Sequence, residues 1–134
     1  MMAHLFRVIV SVADIERAAR FYASILGNSG QRVSPGRHYF DCEGTLLACY
    51  DPRADGDGYD AKPLTEPLYL AVDDLEATYA SATEAGASFP PNVVPDVGPL
   101  GRIARRPWGE RSFYSADPFG NPLCFVARES VFTG

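Results

Sequence analysis

Val12-Ala13-Asp14-Ile15-Glu16, running on to Leu26-Gly27, is answered sixty positions later by Val72-Asp73-Asp74-Leu75-Glu76, running on to Ala85-Gly86. Self-similarity at a fixed spacing marks a repeated structural unit. Each copy is preceded by an alternating stretch: Val8, Val10 and Val12 in one, Leu68, Leu70 and Val72 in the other. Alternation at period two predicts a half-buried strand. Asp14 and Asp74 are placed to accept from the free amides of a first helical turn. Ile15, Ala18, Ala19, Tyr22, Ile25 and Leu26 then form one apolar stripe, and Leu75, Thr78, Tyr79 and Ala82 a weaker one. Gly27 and Gly86 follow as left-handed stops.

The second halves repeat as well. Tyr39-Phe40-Asp41-Cys42-Glu43-Gly44 turns into Thr45 to Tyr50, and Tyr114-Ser115-Ala116-Asp117-Pro118-Phe119-Gly120 turns into Asn121 to Val126. Both predict antiparallel hairpins. The unit is a strand, a helix and two or three further strands, βαβββ, present twice in an α+β chain. Module one spans 4–50 and module two 66–128, joined by an Asp-, Gly- and Pro-rich linker at 51–65. Ser88 to Pro107 carries five prolines and is expected to be a long loop rather than a central strand. Neither module is large enough to bury its own apolar face, so the two are expected to pair.

The chain has 134 residues, 46% of them hydrophobic and 22% charged, which suits one globular domain. No apolar run is long enough for a spanning helix, and no export signal is read at the N-terminus, so a cytoplasmic protein is expected. A net charge of −5 argues against binding a nucleic-acid backbone. Cys42, Cys49 and Cys124 have no metal-type spacing and read as small packing residues. Asp51, Asp55, Asp57 and Asp60 lack the closing Glu of a calcium loop and read as solvated linker.

Val12 to Tyr22, Val72 to Glu76, Pro107-Trp108-Gly109-Glu110-Arg111 and Asp117-Pro118-Phe119-Gly120-Asn121-Pro122 together resemble the vicinal oxygen chelate superfamily. That group includes glyoxalase I, extradiol dioxygenases, fosfomycin-resistance transferases and bleomycin-resistance proteins. The resemblance implies a curved, cup-like mixed sheet made of the two paired modules. It also implies a divalent metal held by His, Gln or Glu at four positions. In this chain those positions are Arg7, Ala48, Pro67 and Cys124. Only Cys124 offers a donor, so no metal and no cofactor are expected.

The reading that follows is a small-molecule binding protein of the bleomycin-resistance type, a homodimer that sequesters an aromatic or anionic drug or metabolite. The alternative is an enzyme of the superfamily (a lyase, isomerase or dioxygenase) with an atypical metal site, or with metal-free chemistry by Arg7 and Tyr114. No catalytic residue is assigned. Alternation places Arg7, Ser11, Tyr50, Tyr69, Ser112, Tyr114 and Cys124 on the ligand-facing side. His38 is added because it stands three residues before Asp41, as Tyr114 stands before Asp117. Trp108, flanked by Pro107 and Gly109, is expected to stack on a planar ligand. Arg7 and Arg111 are expected to orient a carboxylate or phenolate. Arg102, Arg105, Arg106 and Arg111, clustered around Trp108, read as solvated surface, with an anion-recognising rim at the cup as the alternative.

Overall fold

A computed structural model describes residues 2–133, which divide into two compact units at Leu64/Thr65. In the first, β1 (Arg7–Ser11) leads to α1 (Ile15–Leu26) and then to β2 (Gln31–Ser34), β3 (Arg37–Cys42) and β4 (Thr45–Tyr50). In the second, β5 (Leu68–Val72) leads to α2 (Leu75–Ala85). A small hairpin of β6 (Val93–Val94) and β7 (Gly98–Pro99) follows, then β8 (Ala104–Arg105), β9 (Arg111–Ala116) and β10 (Pro122–Ala127), closed by a 3-10 turn at Arg128–Ser130. The sheet orders are β1-β4-β3-β2 and β5-β10-β9-β8, so the βαβββ unit is present twice. In both sheets the first strand pairs in parallel with the last, and the remaining pairs are antiparallel.

The helices form where the sequence places them. The Asp14 carboxylate accepts from Arg17 N at 3.1 Å, and Asp74 accepts from Ala77 N at 3.0 Å. Gly27 and Gly86 end the helices at φ 74° and 98°, a conformation costly to a side chain. Ile15, Ala18, Phe21, Tyr22 and Ile25 bury the inner face of α1. Tyr22 meets Phe40 of β3 at 6.2 Å between ring centroids, and Val10, Leu47 and Cys49 complete this core. In the second unit Tyr79 of α2 meets Phe113 edge-on at 4.9 Å, and Phe113 stacks on Phe125 at 5.2 Å. The helix therefore covers one face of each sheet, and the alternate residues form the opposite face.

Two features depart from the expectations. Asp51, Pro52 and Asp55 are docked rather than solvated, while Arg53, Ala54, Gly56 and Asp57 between and after them are exposed as expected. Asp51 is buried and accepts from Ile15 N and Ala54 N, at the start of α1. Asp55 accepts from Ser34 Oγ and Gly36 N and pairs with Arg37; the Ser34 bond first, then the Gly36 amide and the Arg37 charge, hold its carboxyl below the usual range. A Cβ at Gly36 would stand 2.3 Å from Asp51 O, so only glycine allows this loop to dock. The hairpin turns also differ. Glu43-Gly44 is a two-residue turn with positive φ at both positions, joining Cys42 to Thr45. The second turn takes five residues, from Asp117 to Asn121, between Ala116 and Pro122.

Asp117 carries the longer turn. It is 2% exposed and accepts from Phe119 N, Asn121 N and Asn121 Nδ2, each at 2.9 Å. Asp41 is exposed and accepts from Gly44 N at 2.8 Å. Asp117→Ala is expected to cost about 2 kcal/mol, because it strands buried donors. Asp41→Ala should stay within about 0.5 kcal/mol of the parent. Urea unfolding of the two variants measures the contrast; equal losses would remove the distinction.

Candidate functional site

Each sheet's uncovered face is built in rows across its strands. In the first unit the rows are Ser11–Tyr50–Arg37, Ile9–Ala48–Tyr39 and Arg7–Leu46–Asp41. In the second they are Ala71–Val126–Ser112 and Tyr69–Cys124–Tyr114. Ile9 is 52% exposed and Tyr69 61%, so both faces present large apolar surface. Arg7, Ser11, Tyr50, Tyr69, Ser112, Tyr114 and Cys124 thus lie on the faces away from the helices, four of them in unit two, where Ser112 and Cys124 are nevertheless buried.

His38 does not, and the expectation that it faces the ligand side is corrected. It pairs with Cys49, is 8% exposed and packs against Phe40 at 5.0 Å on the helix-covered side. Its Nε2 bonds Ser29 O at 2.8 Å, and its Nδ1 accepts from Arg32 Nε at 3.2 Å. Counting back from Asp41 and Asp117 misaligns the strands by one residue, because Asp41 lies within β3 whereas Asp117 lies beyond β9. A one-residue slip exchanges the faces. The counterpart of Tyr114 is Tyr39, whose ring carries the Arg7 guanidinium 5.4 Å from its centroid.

Arg111 is corrected too. It alternates with Tyr114 and Ser112 onto the helix side, where it forms an ion pair with Glu76 of α2. It is not placed to orient an acid on the uncovered face. Trp108 sits at the turn between β8 and β9, 43% exposed, and donates through Nε1 to Glu110 Oε1 at 2.8 Å. Glu110 Oε2 accepts from Phe132 N at 2.8 Å, tying the C-terminal segment to the same turn. Among the described residues Trp108 makes no ring contact with Tyr69 or Tyr114.

The densest polar arrangement lies around Tyr114. Tyr69 and Tyr114 meet edge-on at 6.4 Å. Burial, then hydrogen bonding with Tyr69 and Cys124, raises the Tyr114 phenol well above its ordinary range. Burial also pushes the Cys124 thiol up to about 11, against hydrogen bonds with Ser112 and Tyr114 and the nearby Arg106 cation, which act downwards. A thiol so raised is almost wholly protonated at neutral pH and is a poor nucleophile and a poor metal ligand. Arg106 was legible only as one of four arginines, yet it is 2% exposed, with Nε on Ser112 Oγ at 3.0 Å. In unit one the comparable polar point is Tyr50. Its hydroxyl donates to Asp57 and meets Tyr59 at 2.9 Å, while the Arg37 guanidinium covers its ring at 4.4 Å.

The metal implied by the resemblance does not fit these residues. Arg7 brings a positive charge, Ala48 and Pro67 bring no donor, and Cys124 brings a buried, protonated thiol. No group of three or more His, Cys, Asp or Glu among the described residues is arranged to hold a metal ion. No helix among them is long and apolar enough to cross a membrane.

A family-wide sequence profile described as Glyoxalase/Bleomycin resistance protein/Dioxygenase superfamily matches residues 3–125. No protein of curated function matches the chain. Among solved structures, a glyoxalase/bleomycin resistance protein from Albidiferax ferrireducens T118 is similar at TM-score 0.74 and 21% identity, over 92% of this chain and 97% of that one. A glyoxalase-related enzyme from Fulvimarina pelagi is similar at TM-score 0.73 and 18% identity, over 99% and 94%. A member of the same superfamily from Sphaerobacter thermophilus DSM 20745 reaches 25% identity at TM-score 0.64, over 94% and 98%.

The raised Cys124 thiol has a measurable consequence. Its native pKa of about 11 lies above that of an unfolded cysteine, about 8.5. The unfolded chain therefore loses this proton first, and stability falls as pH rises from about 9 towards 11. The raised Tyr114 phenol acts in the same direction. The melting temperature is expected to drop over that interval, with a visibly shallower drop in Cys124→Ala, Tyr114→Phe. An identical slope in the variant would show that neither group is buried as described.

Proposed function

The chain belongs to the Glyoxalase/Bleomycin resistance protein/Dioxygenase superfamily, and on that premise we propose that it binds a small molecule without a metal. The ligand is an aromatic or anionic drug or metabolite that the protein sequesters rather than transforms. One observation carries this reading: the four positions that the family resemblance assigns to metal donors hold Arg7, Ala48, Pro67 and Cys124. With no donor set, the uncovered faces keep the character of a binding surface, with large apolar and aromatic side chains and a few polar points. Tyr69 and Tyr114 supply rings for stacking, Cys124 stands between them in the same row with Ser112 in the next, and Arg7, Ser11 and Tyr50 are the polar points of unit one. Trp108, exposed on its turn, is the lid side chain that closes on a planar ligand. A bound ring in contact with such side chains gains on the order of 1 kcal/mol beyond area burial.

The reading extends to assembly and compartment. The exposed Leu5, Phe6, Ile9 and Tyr69 favour a second copy of the chain as cover, in a C2 homodimer. A cytoplasmic setting suits the three free cysteines. The acidic net charge disfavours nucleic acid as partner. A second reading, catalysis, is favoured by the likeness to a glyoxalase-related enzyme and not by Tyr50, whose phenol the bond to Asp57 raises.

The test uses full-length protein purified without a metal-chelating tag. Elemental analysis is expected to find no stoichiometric divalent ion. Zinc, nickel or manganese should leave the melting temperature unchanged, since a ligand that binds only the native state must raise it. A screen of aromatic antibiotics and metabolites should find compounds that do raise it and are recovered intact. About one metal ion per chain surviving dialysis would overturn the metal-free reading, and turnover of a stabilising compound would move the protein to the catalytic one.

Light scattering at micromolar concentration is expected to give twice the chain mass of 14.6 kDa. A mass of one chain would exclude the homodimer.

A further inference from the structure

Arg106 is a cation buried without an anion. It is 2% exposed, and its guanidinium makes six hydrogen bonds. Nε meets Ser112 Oγ, Nη1 meets Val97 O and Pro99 O, and Nη2 meets Leu100 O, Arg102 O and Ser112 O, at 2.9–3.5 Å. Every acceptor is neutral. Among the described residues no carboxylate forms an ion pair with it, whereas Arg32, Arg37, Arg53, Arg111 and Arg128 all have acidic partners. Glu110, whose charge is felt at Cys124 as that of Arg106 is, bonds Trp108 Nε1 and Phe132 N and forms no ion pair with the guanidinium. Six hydrogen bonds satisfy the donors but leave the charge. A buried charge is costly unless a counter-charge reaches it, and in a low dielectric its field extends several ångströms.

The field has a direction. The guanidinium carbon lies 5.4 Å from the centroid of the Tyr114 ring, which belongs to the uncovered face of the second sheet and stands beside the exposed Tyr69. The Tyr114 hydroxyl, hydrogen-bonded with Tyr69 and Cys124 in the structure, stands beside that cation and would turn from one of these partners to a ligand. A group accepting from that hydroxyl gains the hydrogen bond and the attraction of Arg106 together, provided it is negative.

We propose that the ligand of this face is an anion, a carboxylate or phenolate on an aromatic body, whose charged oxygen sits at the Tyr114 hydroxyl and supplies the counter-charge that Arg106 lacks. This rests on the binding function proposed above and sharpens it. The anion is selected by a residue it does not touch, and the charge-bearing residue is Arg106, with Arg111 committed to Glu76 on the other side of the sheet.

The test compares two probes of one shape, 2-naphthoate and the neutral 2-naphthamide, titrated into the full chain. Binding is read from amide shifts of Tyr69, Ser112, Tyr114 and Cys124. The naphthoate is expected to bind at least tenfold more tightly, with a preference that shrinks as salt is raised. Tyr114→Phe should remove most of that preference. Arg106→Met, of similar length and uncharged, should abolish it where the variant folds; the parent's probe pair and Tyr114→Phe decide the matter where it does not. Equal affinity of the two probes at these amides would overturn the anion assignment and leave Arg106 as a latch for the 97–102 segment, with the binding function standing. Shifts at these amides with neither probe would overturn both.

Discussion

A β-strand gives each side chain to one of two faces, and each four-stranded sheet here has one helix to cover one of them. Most of what the protein is follows from that limit. The covered faces hold the packed cores, around Tyr22 and Phe40 in one unit and Tyr79, Phe113 and Phe125 in the other. The opposite faces hold the alternate residues, of which Ala48, Ser112, Cys124 and Val126 are buried as well. A functional side chain on these sheets is therefore defined first by parity and only then by chemistry. Parity also explains the two corrections: His38 and Arg111 stand on the helix-covered sides of their strands.

The two copies of the unit carry different side chains on the face away from the helix. Ile9, Ala48 and Tyr39 form a row of one aromatic and two aliphatic side chains. The matching row of the second unit, Tyr69, Cys124 and Tyr114, has two aromatics about a thiol. The second unit also gains the segment from Ser88 to Arg105, which brings carbonyl groups around a guanidinium. Helix caps, glycine stops and the parallel pairing of first and last strands are common to both. Shared scaffolding and unlike faces suit a fold in which chemistry varies on a constant frame.

The charges fall into two kinds. Arg53 with Asp60 and Arg128 with Asp73 are surface pairs, which contribute little beyond solubility. Asp51, Asp117 and Arg106 are buried. Asp51 and Asp117 accept from backbone amides and so organise a helix start and a turn. Arg106 donates to backbone carbonyls and so organises the inserted segment. Its guanidinium also stands 5.4 Å from the Tyr114 ring, so the segment it orders borders the Tyr69–Tyr114 pair.

Much of the fold was legible because its signals are local. The paired Val-x-Asp motifs, the aspartate caps, the glycine stops and period-two alternation each act within a few residues, and together they determined two βαβββ units. Alternation also placed Arg7, Ser11, Tyr50, Tyr69, Ser112, Tyr114 and Cys124 on uncovered faces, since parity within one strand needs no partner. What sequence could not determine was anything that depends on register between strands or on a side chain's distant partners. The face of His38 hung on whether two turns have equal length, and they differ by three residues. Arg111 was claimed by Glu76, thirty-five residues away, and Asp51 by the first turn of α1. Arg106 looks like its neighbours Arg102 and Arg105 until the chain from Val97 to Arg102 closes around it. Only the tertiary structure decides which of several identical side chains is withdrawn from water, because burial is a property of what the rest of the chain packs against it.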